Sequence, residues 1–338
     1  MLYKQKQRVR YWHASMVDIY LSDWHLIFCD MKTFAEMERA CEMAFEEGGP
    51  FWHLYTDGTG MEDVFCDDKE FRLGMTMLAV CAIMYPSIGL ITFELMNNHV
   101  HLIMQGERGD CLKFFEIYKR RLKRQFMKAG RVVDWDRFHA QILKIESQKA
   151  LRNEIIYVNR NAYVANYKYT PFSYPWGGGW AYFNPVINML PVKSADEIGS
   201  CRMRELTHYR DIANLCALKF IDDVPFIPSF CRINIGELMF QNARNYFDAL
   251  TRNAEAFSQI ASRLKDTVFL TDDEMFVLTA RLAAEMFSAK LNMLTPDQRI
   301  QLGRKMHFDY NATNQQIRRV LRLDAAVLEE MFPNAPIR

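Results

Sequence analysis

The sequence predicts an α+β fold followed by an all-α region, and three observations carry that reading. Segments rich in β-branched and aromatic residues alternate with amphipathic helical ones through the first half of the chain. A Pro- and Gly-rich stretch from Thr170 to Pro191, with the Gly177-Gly178-Gly179 run at its centre, then breaks regular structure. Beyond it the apolar spacing is almost wholly helical. We therefore expect one domain over residues 1–190 and a helical region over 191–338.

In order, Tyr11 to Tyr20 and Trp24 to Cys29 read as strands, and Lys32 to Phe45 as an amphipathic helix. Glu47 to Asp68, with its Gly, Asp and aromatic residues, reads as an irregular insertion. A helix over Lys69 to Met84, a strand over Ile88 to Leu95, a tight connection at Asn97-Asn98 and a second strand to Met104 follow. Next come a basic helix, a strand near His139 to Ile145 and a helix from Gln148 through Tyr157. This mixture suggests a sandwich of the ferredoxin-like kind, an antiparallel sheet with helices on one face.

In the second half the clearest helices are Gly236 to Leu250, Asp272 to Lys290 and Pro296 to Met306. At the end, Thr313 caps a short helix over Asn314 to Val320, Arg322-Leu323-Asp324 makes a turn, and Ala325 to Met331 forms a second helix. Buried positions at Ile317, Val320, Leu321, Leu323, Val327 and Leu328 fit a helix-turn-helix over about 308–332, with Arg318, Arg319 and Arg322 in reach of phosphates. A plain helical hairpin closing the domain has the same pattern.

With 338 residues and 50% hydrophobic content, the chain can bury a sizeable core. The basic N-terminus lacks the apolar run of a signal peptide, and the greasy stretch from Met75 to Leu95 is interrupted by Pro86, so no membrane segment is expected. The eight cysteines are dispersed, without a C-x-x-C pair, as in a cytoplasmic protein with reduced core thiols. Net charge is only +1, but residues 119–131 hold seven basic side chains and no acidic one, on helical spacing. Such a stripe, including Lys119, Arg120, Arg121, Lys123 and Arg124, suits either phosphate binding or a solvated helix face.

The chemistry centres on Asn97-Asn98-His99-Val100-His101-Leu102-Ile103. In a strand, residues i and i+2 share a face, so His99 and His101 present two imidazoles side by side. Histidine is the commonest metal ligand. An ordinary hydrogen-bonded polar strand face gives the same pattern. Downstream, Tyr157 and Asn161 lie one turn apart on one helix face, a pairing of a phenol with an amide oxygen that is commonplace on its own.

These segments resemble, in order and spacing, the REP-associated tyrosine transposases of the HUH single-tyrosine superfamily. Leu95 to Ile103 looks like their MPNHVHLL strand, Trp135-Asp136-Arg137-Phe138 like their W-x-x-R-F stretch, and Tyr157 to Asn166 like their YIxxNPVRAG helix, followed by Pro171-Phe172-Ser173. The likeness spans roughly residues 10–176, about half of the chain. Asn97 stands where the family has Pro, and Ala162 stands where it has another.

The resemblance implies that His99, His101 and Asn161 hold Mg²⁺ or Mn²⁺ and that Tyr157 is the nucleophile. Tyr118, also downstream of the histidines, is the rival, but position 122 is Leu rather than Asn. The implied activity is cutting and rejoining of single-stranded, hairpin-forming DNA through a 5′-phosphotyrosine. The basic helix, Arg137 and base-stacking aromatics such as Trp135, Tyr163 and Tyr167 would bind the strand. A homodimer is compatible with this reading. The alternatives are a catalytically silent DNA-binding regulator of repeats and, less well supported, a zinc hydrolase, for which no Cys, Asp or Glu is placed to complete a tetrahedral site.

Overall fold

The computed structural model describes residues 34–58, 61–165, 169–170, 173–252, 260, 263–264, 270–310 and 312–332. The strands expected over Tyr11 to Tyr20 and Trp24 to Cys29 lie outside the described residues. The chain divides into two compact units, 1–48 and 49–338. The described part of the first is helix α1, Phe34–Glu47. The division expected near residue 190 falls inside the second unit.

The second unit opens with a strand, β1 (Phe51–Thr56), in the segment read as an irregular insertion. It is one of the sheet's two inner strands, and five of its six residues are buried. A strand covered on both faces shows no apolar/polar alternation, and Gly48-Gly49-Pro50 and Asp57-Gly58 frame it like a loop. Helix α2 (Asp68–Met84) follows, capped by Asp67, whose carboxylate accepts from the Lys69 and Glu70 amides. Strands β2 (Gly89–Leu95) and β3 (Val100–Gln105), helix α3 (Arg108–Lys128), strand β4 (Ala140–Ile145) and helix α4 (Gln148–Ala165) complete this part.

The four strands form one antiparallel sheet in the order β2-β3-β1-β4. Register places Tyr55 opposite both His101 and Gln141, and Glu94 opposite His101, so these side chains share one face with His53. Helix α4 covers that face. On the other face α2 and α3 pack together, and Gly74 of α2 sits where a Cβ would lie 3.2 Å from Leu95. Helices therefore cover both faces, not one as the sequence suggested. Phe115, Tyr118, Phe126 and Phe138 are almost fully buried around α3, each such aromatic contributing on the order of 1.5–3 kcal/mol through burial.

The Gly177-Gly178-Gly179 run, expected as a linker, is packed instead. Glu94 bridges to Gly177, the Gly178 amide donates to Phe93 O at 2.7 Å, and a Cβ on Gly178 would meet Thr92 Oγ1 at 2.5 Å. The run seals the β2 edge, where unpaired backbone groups would otherwise be exposed.

The region beyond 191 also contains short strands, β5 (Lys193–Ser194), β6 (Lys219–Ile221) and β7 (Val224–Pro225), in a second antiparallel sheet. Asp222 and Asp223, both at positive φ, make the two-residue turn between β6 and β7. Helices α5 (Ala195–Ile198) and α6 (Ser200–Thr207) lie between β5 and β6. The single helix expected over Gly236 to Leu250 is two, α7 (Ile233–Leu238) and α8 (Ala243–Arg252), separated by Gln241 at φ 66°.

Helices α9 (Asp272–Phe287), α10 (Pro296–Tyr310), α11 (Asn314–Leu321) and α12 (Ala325–Met331) share a core that includes Met275, Leu302, Ile317 and Leu328. Thr313 and Gln316 form a capping box at the start of α11, Arg322 ends it in the left-handed region, and Asp324 caps α12. Among the described residues no helix is long and apolar enough to cross a membrane.

Candidate active site

The histidine strand is set by its own turn. The Met96 amide donates to His99 O at 2.9 Å, and Asn97 O accepts from the amides of Val64 and Phe65 at 2.7 and 2.8 Å. These contacts hold position 97, where a proline would have stiffened the backbone. Asn98 Nδ2 donates to Gly58 O at 3.0 Å, which turns its Oδ1 toward His99 Nδ1 at 2.7 Å. An amide oxygen only accepts, so His99 carries its proton on Nδ1.

His101 lies behind it, 1% exposed, its ring centroid 4.9 Å from that of His99 and nearly perpendicular to it. Its Nδ1 is 3.0 Å from Nε2 of His53 on β1, and His53 Nδ1 is 2.8 Å from Oε2 of Glu154 on α4. His53 and Glu154 were missed in the sequence. His53 lies in the strand that was read as a loop. Glu154 carried a signal that could have been used, since Glu154, Tyr157 and Asn161 follow the i, i+3, i+7 spacing of one helix face.

Tyr157 is 2% exposed, with its ring 5.7 Å from His101 and 6.2 Å from His53. Asn161 lies one turn on, also buried. Ala162, where the motif that the segment resembles carries proline, has an amide that donates to Glu94 Oε1 at 2.6 Å. A proline has no such donor, so the departure from the motif is matched by a buried carboxylate that uses it.

The remaining candidates are spread elsewhere. Lys119, Arg120, Arg121, Lys123 and Arg124 lie on α3, in the layer across the sheet from the histidines. Arg120, Lys123 and Arg124 are exposed. Arg121 donates to Met84 Sδ at 3.4 Å and lies 5.0 Å over the Tyr209 ring. Arg137 is exposed and 3.8 Å from Asp134. Trp135 is 6% exposed and wedged between Phe126 and Phe138, so it does not offer a face to a base and its expected stacking role is corrected to core packing. The side chain of Tyr163 and all of Tyr167 lie outside the described residues. Tyr118 is fully buried in the α3 layer, where burial pushes its hydroxyl far above the ordinary phenol range. It is remote from the histidine face. Arg318, Arg319 and Arg322 are exposed on the C-terminal helix pair, with Arg319 paired to Asp272.

The donor set can be tested against a cation. Metal-bound imidazoles use one ring nitrogen and give the other to a second partner. In both His99 and His101 the second partner sits on Nδ1, and Nε2 of each is buried. Among the described residues no three His, Cys, Asp or Glu side chains converge on one point able to hold a metal. A cation here would thus draw on the two Nε2 atoms together with amide, phosphate or water oxygens, a mixed nitrogen and oxygen set. No family model, curated protein or solved structure matches the chain.

Proposed function

We propose that this chain is a metal-dependent single-strand DNA endonuclease and strand transferase of the HUH single-tyrosine type, acting on hairpin-forming repeat DNA. The observation that carries the reading is the meeting of His99, His101 and Tyr157 on the α4-covered face of the sheet. Supporting it, the connectivity β1-α2-β2-β3-α3-β4 with strand order β2-β3-β1-β4 fits a ferredoxin-like split βαβ arrangement. The capped α11–α12 pair, with exposed Arg318, Arg319 and Arg322, suits a helix-turn-helix that grips phosphates.

A phenol is a weak nucleophile near neutral pH, so the electrophile must be polarised. His99 and His101 would hold the cation through Nε2, with Asn161 adding an amide oxygen. Bound there, Mg²⁺ or Mn²⁺ supplies charge withdrawal from the scissile phosphate and fixes its orientation. Tyr157 Oη would lose its proton and form the new bond to phosphorus as the bond to the 3′ oxygen breaks, and that oxygen would take up a proton and depart as a 3′-hydroxyl. The 5′-phosphotyrosine conserves bond energy, so a second 3′-hydroxyl can displace Tyr157 and join strands. Tyr157 lies against the histidines of its own chain, which favours attack within one subunit.

The test is a denaturing gel of the protein with a labelled single-stranded hairpin from the flanks of its coding region and Mn²⁺. The wild-type protein should form a covalent adduct, Tyr157→Phe should lose it, and His99→Ala should lose Mn²⁺-dependent cleavage. An adduct that survives in Tyr157→Phe overturns the assignment. The burial of Tyr157 favours a second reading, a silent DNA-binding regulator. Binding of the hairpin by the wild-type protein without an adduct would establish it.

A further inference from the structure

Two buried side chains on the histidine face have no part in the reaction just described. His53 is 0% and Glu154 2% exposed, and together with His101 they form a chain, Glu154 Oε2 to His53 Nδ1 at 2.8 Å and His53 Nε2 to His101 Nδ1 at 3.0 Å. Buried imidazoles satisfy both nitrogens, and in a neutral ring one donates and the other accepts.

The direction of the chain follows from its end. A carboxylate accepts and does not donate, so a neutral His53 places its proton on Nδ1 and keeps its lone pair on Nε2. That lone pair accepts from His101, whose proton is thereby placed on Nδ1. His101 Nε2 then carries the lone pair that a cation requires. The opposite direction would put a proton on His101 Nε2 and exclude a metal from it. Arg263, 3.7 Å from Glu154 Oε1, keeps a positive charge beside the carboxylate that sets the direction. Asn98 does the same for His99 by a shorter route, through a single amide oxygen.

We infer that Glu154 and His53 are positioning residues, which hold His101 in the Nδ1–H tautomer and so prepare its Nε2 to ligate a divalent cation. The inference rests on the metal-dependent reading of the site and extends it by two residues outside the ligand set.

Long-range ¹⁵N correlation spectra of the metal-free protein report the tautomer, and a Mn²⁺ titration followed by electron paramagnetic resonance reports affinity. The wild-type protein should show His101 as the Nδ1–H form. His53→Phe keeps the ring's bulk and removes the relay. It should give a mixed or Nε2–H signal and bind Mn²⁺ about 10- to 100-fold more weakly. His53→Gln can donate to Glu154 and accept from His101, and should stay within about 3-fold of the wild-type affinity, well short of that loss. An Nε2–H form of His101 in the wild-type protein overturns the inference without any variant. So does a folded His53→Phe protein with an unchanged tautomer and Mn²⁺ affinity. Failure of the wild-type protein to bind Mn²⁺, with His101 still in the Nδ1–H form, overturns the metal-centre reading while the relay stands.

Discussion

His99 depends on a residue that contributes no side chain. A Cβ at Gly58 would lie 2.8 Å from His99 Nδ1, closer than real Cβ atoms pack, and a tight 3.1 Å from Asn98 Oδ1. Alanine at this position therefore has to push the imidazole or its Asn98 partner aside, the over-packing effect seen in tight interiors. Gly58→Ala is expected to lower Mn²⁺ affinity by about 10-fold, the size of effect typical for disturbing a ligand's supporting contact. A Mn²⁺ titration beside a thermal melt separates displacement of the ligand from general loss of stability. Unchanged affinity would show that the loop at Gly58 yields instead. The two candidate tyrosines illustrate the same dependence on surroundings. Tyr118 is enclosed by the α3 core, whereas Tyr157, also buried, faces two imidazole rings.

Helix α4 brings the candidate nucleophile to the sheet, and its contacts fix where it lies. Thr92 Oγ1 donates to Asn159 Oδ1 at 2.5 Å from β2, Glu154 meets His53 of β1, and Ala162 donates to Glu94. The last contact makes the helix sensitive to a change at position 162. Ala162→Pro removes the donor to a buried carboxylate and places a proline ring inside α4, so we expect a loss of about 3 kcal/mol or more. Adding Glu94→Leu removes the carboxylate itself and should recover part of that loss. Urea unfolding of the three proteins decides the matter. A stabilising Ala162→Pro would show that the contact with Glu94 does not hold the helix.

The helices beyond residue 191 and the sheet domain are joined through α4. Arg160, between Asn159 and Asn161, pairs with Glu274 of α9 at 2.5 Å, with both side chains under 5% exposed. Asn159 Nδ2 donates to Tyr246 of α8, and Gln148 Nε2 to Met239 O. Glu274 also closes the capping box of α9 with Thr271. A buried pair that loses one partner leaves an uncompensated charge, so Arg160→Met should cost about 3–5 kcal/mol. The double variant Arg160→Met, Glu274→Gln keeps the cap and removes the charge, and should recover most of it. Chemical denaturation of both variants tests this, and equal losses would place the cost in packing rather than charge. The same ties connect the helix pair carrying Arg319, through Asp272 at the start of α9, to the helix that carries Tyr157.

Much of the candidate site was legible because it is written locally. Alternation placed His99 and His101 on one face, helical spacing placed Tyr157 and Asn161 on another, and Thr313 announced the first of the last two helices through its cap. The rest depends on residues far apart in the chain. Strand β1 carries no alternation because both its faces are covered, so His53 was invisible until register set it beside His101, 48 positions away, and Glu154, 101 positions away. Trp135 read as a stacking platform until packing enclosed it. The sequence by itself determined the type of strands β2 to β4 and of most long helices, the histidine pair and the α+β class, since backbone preference and side-chain period act over a few residues. Only the tertiary structure decided which imidazoles share a proton chain, which tyrosine faces them and which helices hold that tyrosine in place, because strand register and layer packing bring together groups that no local pattern relates.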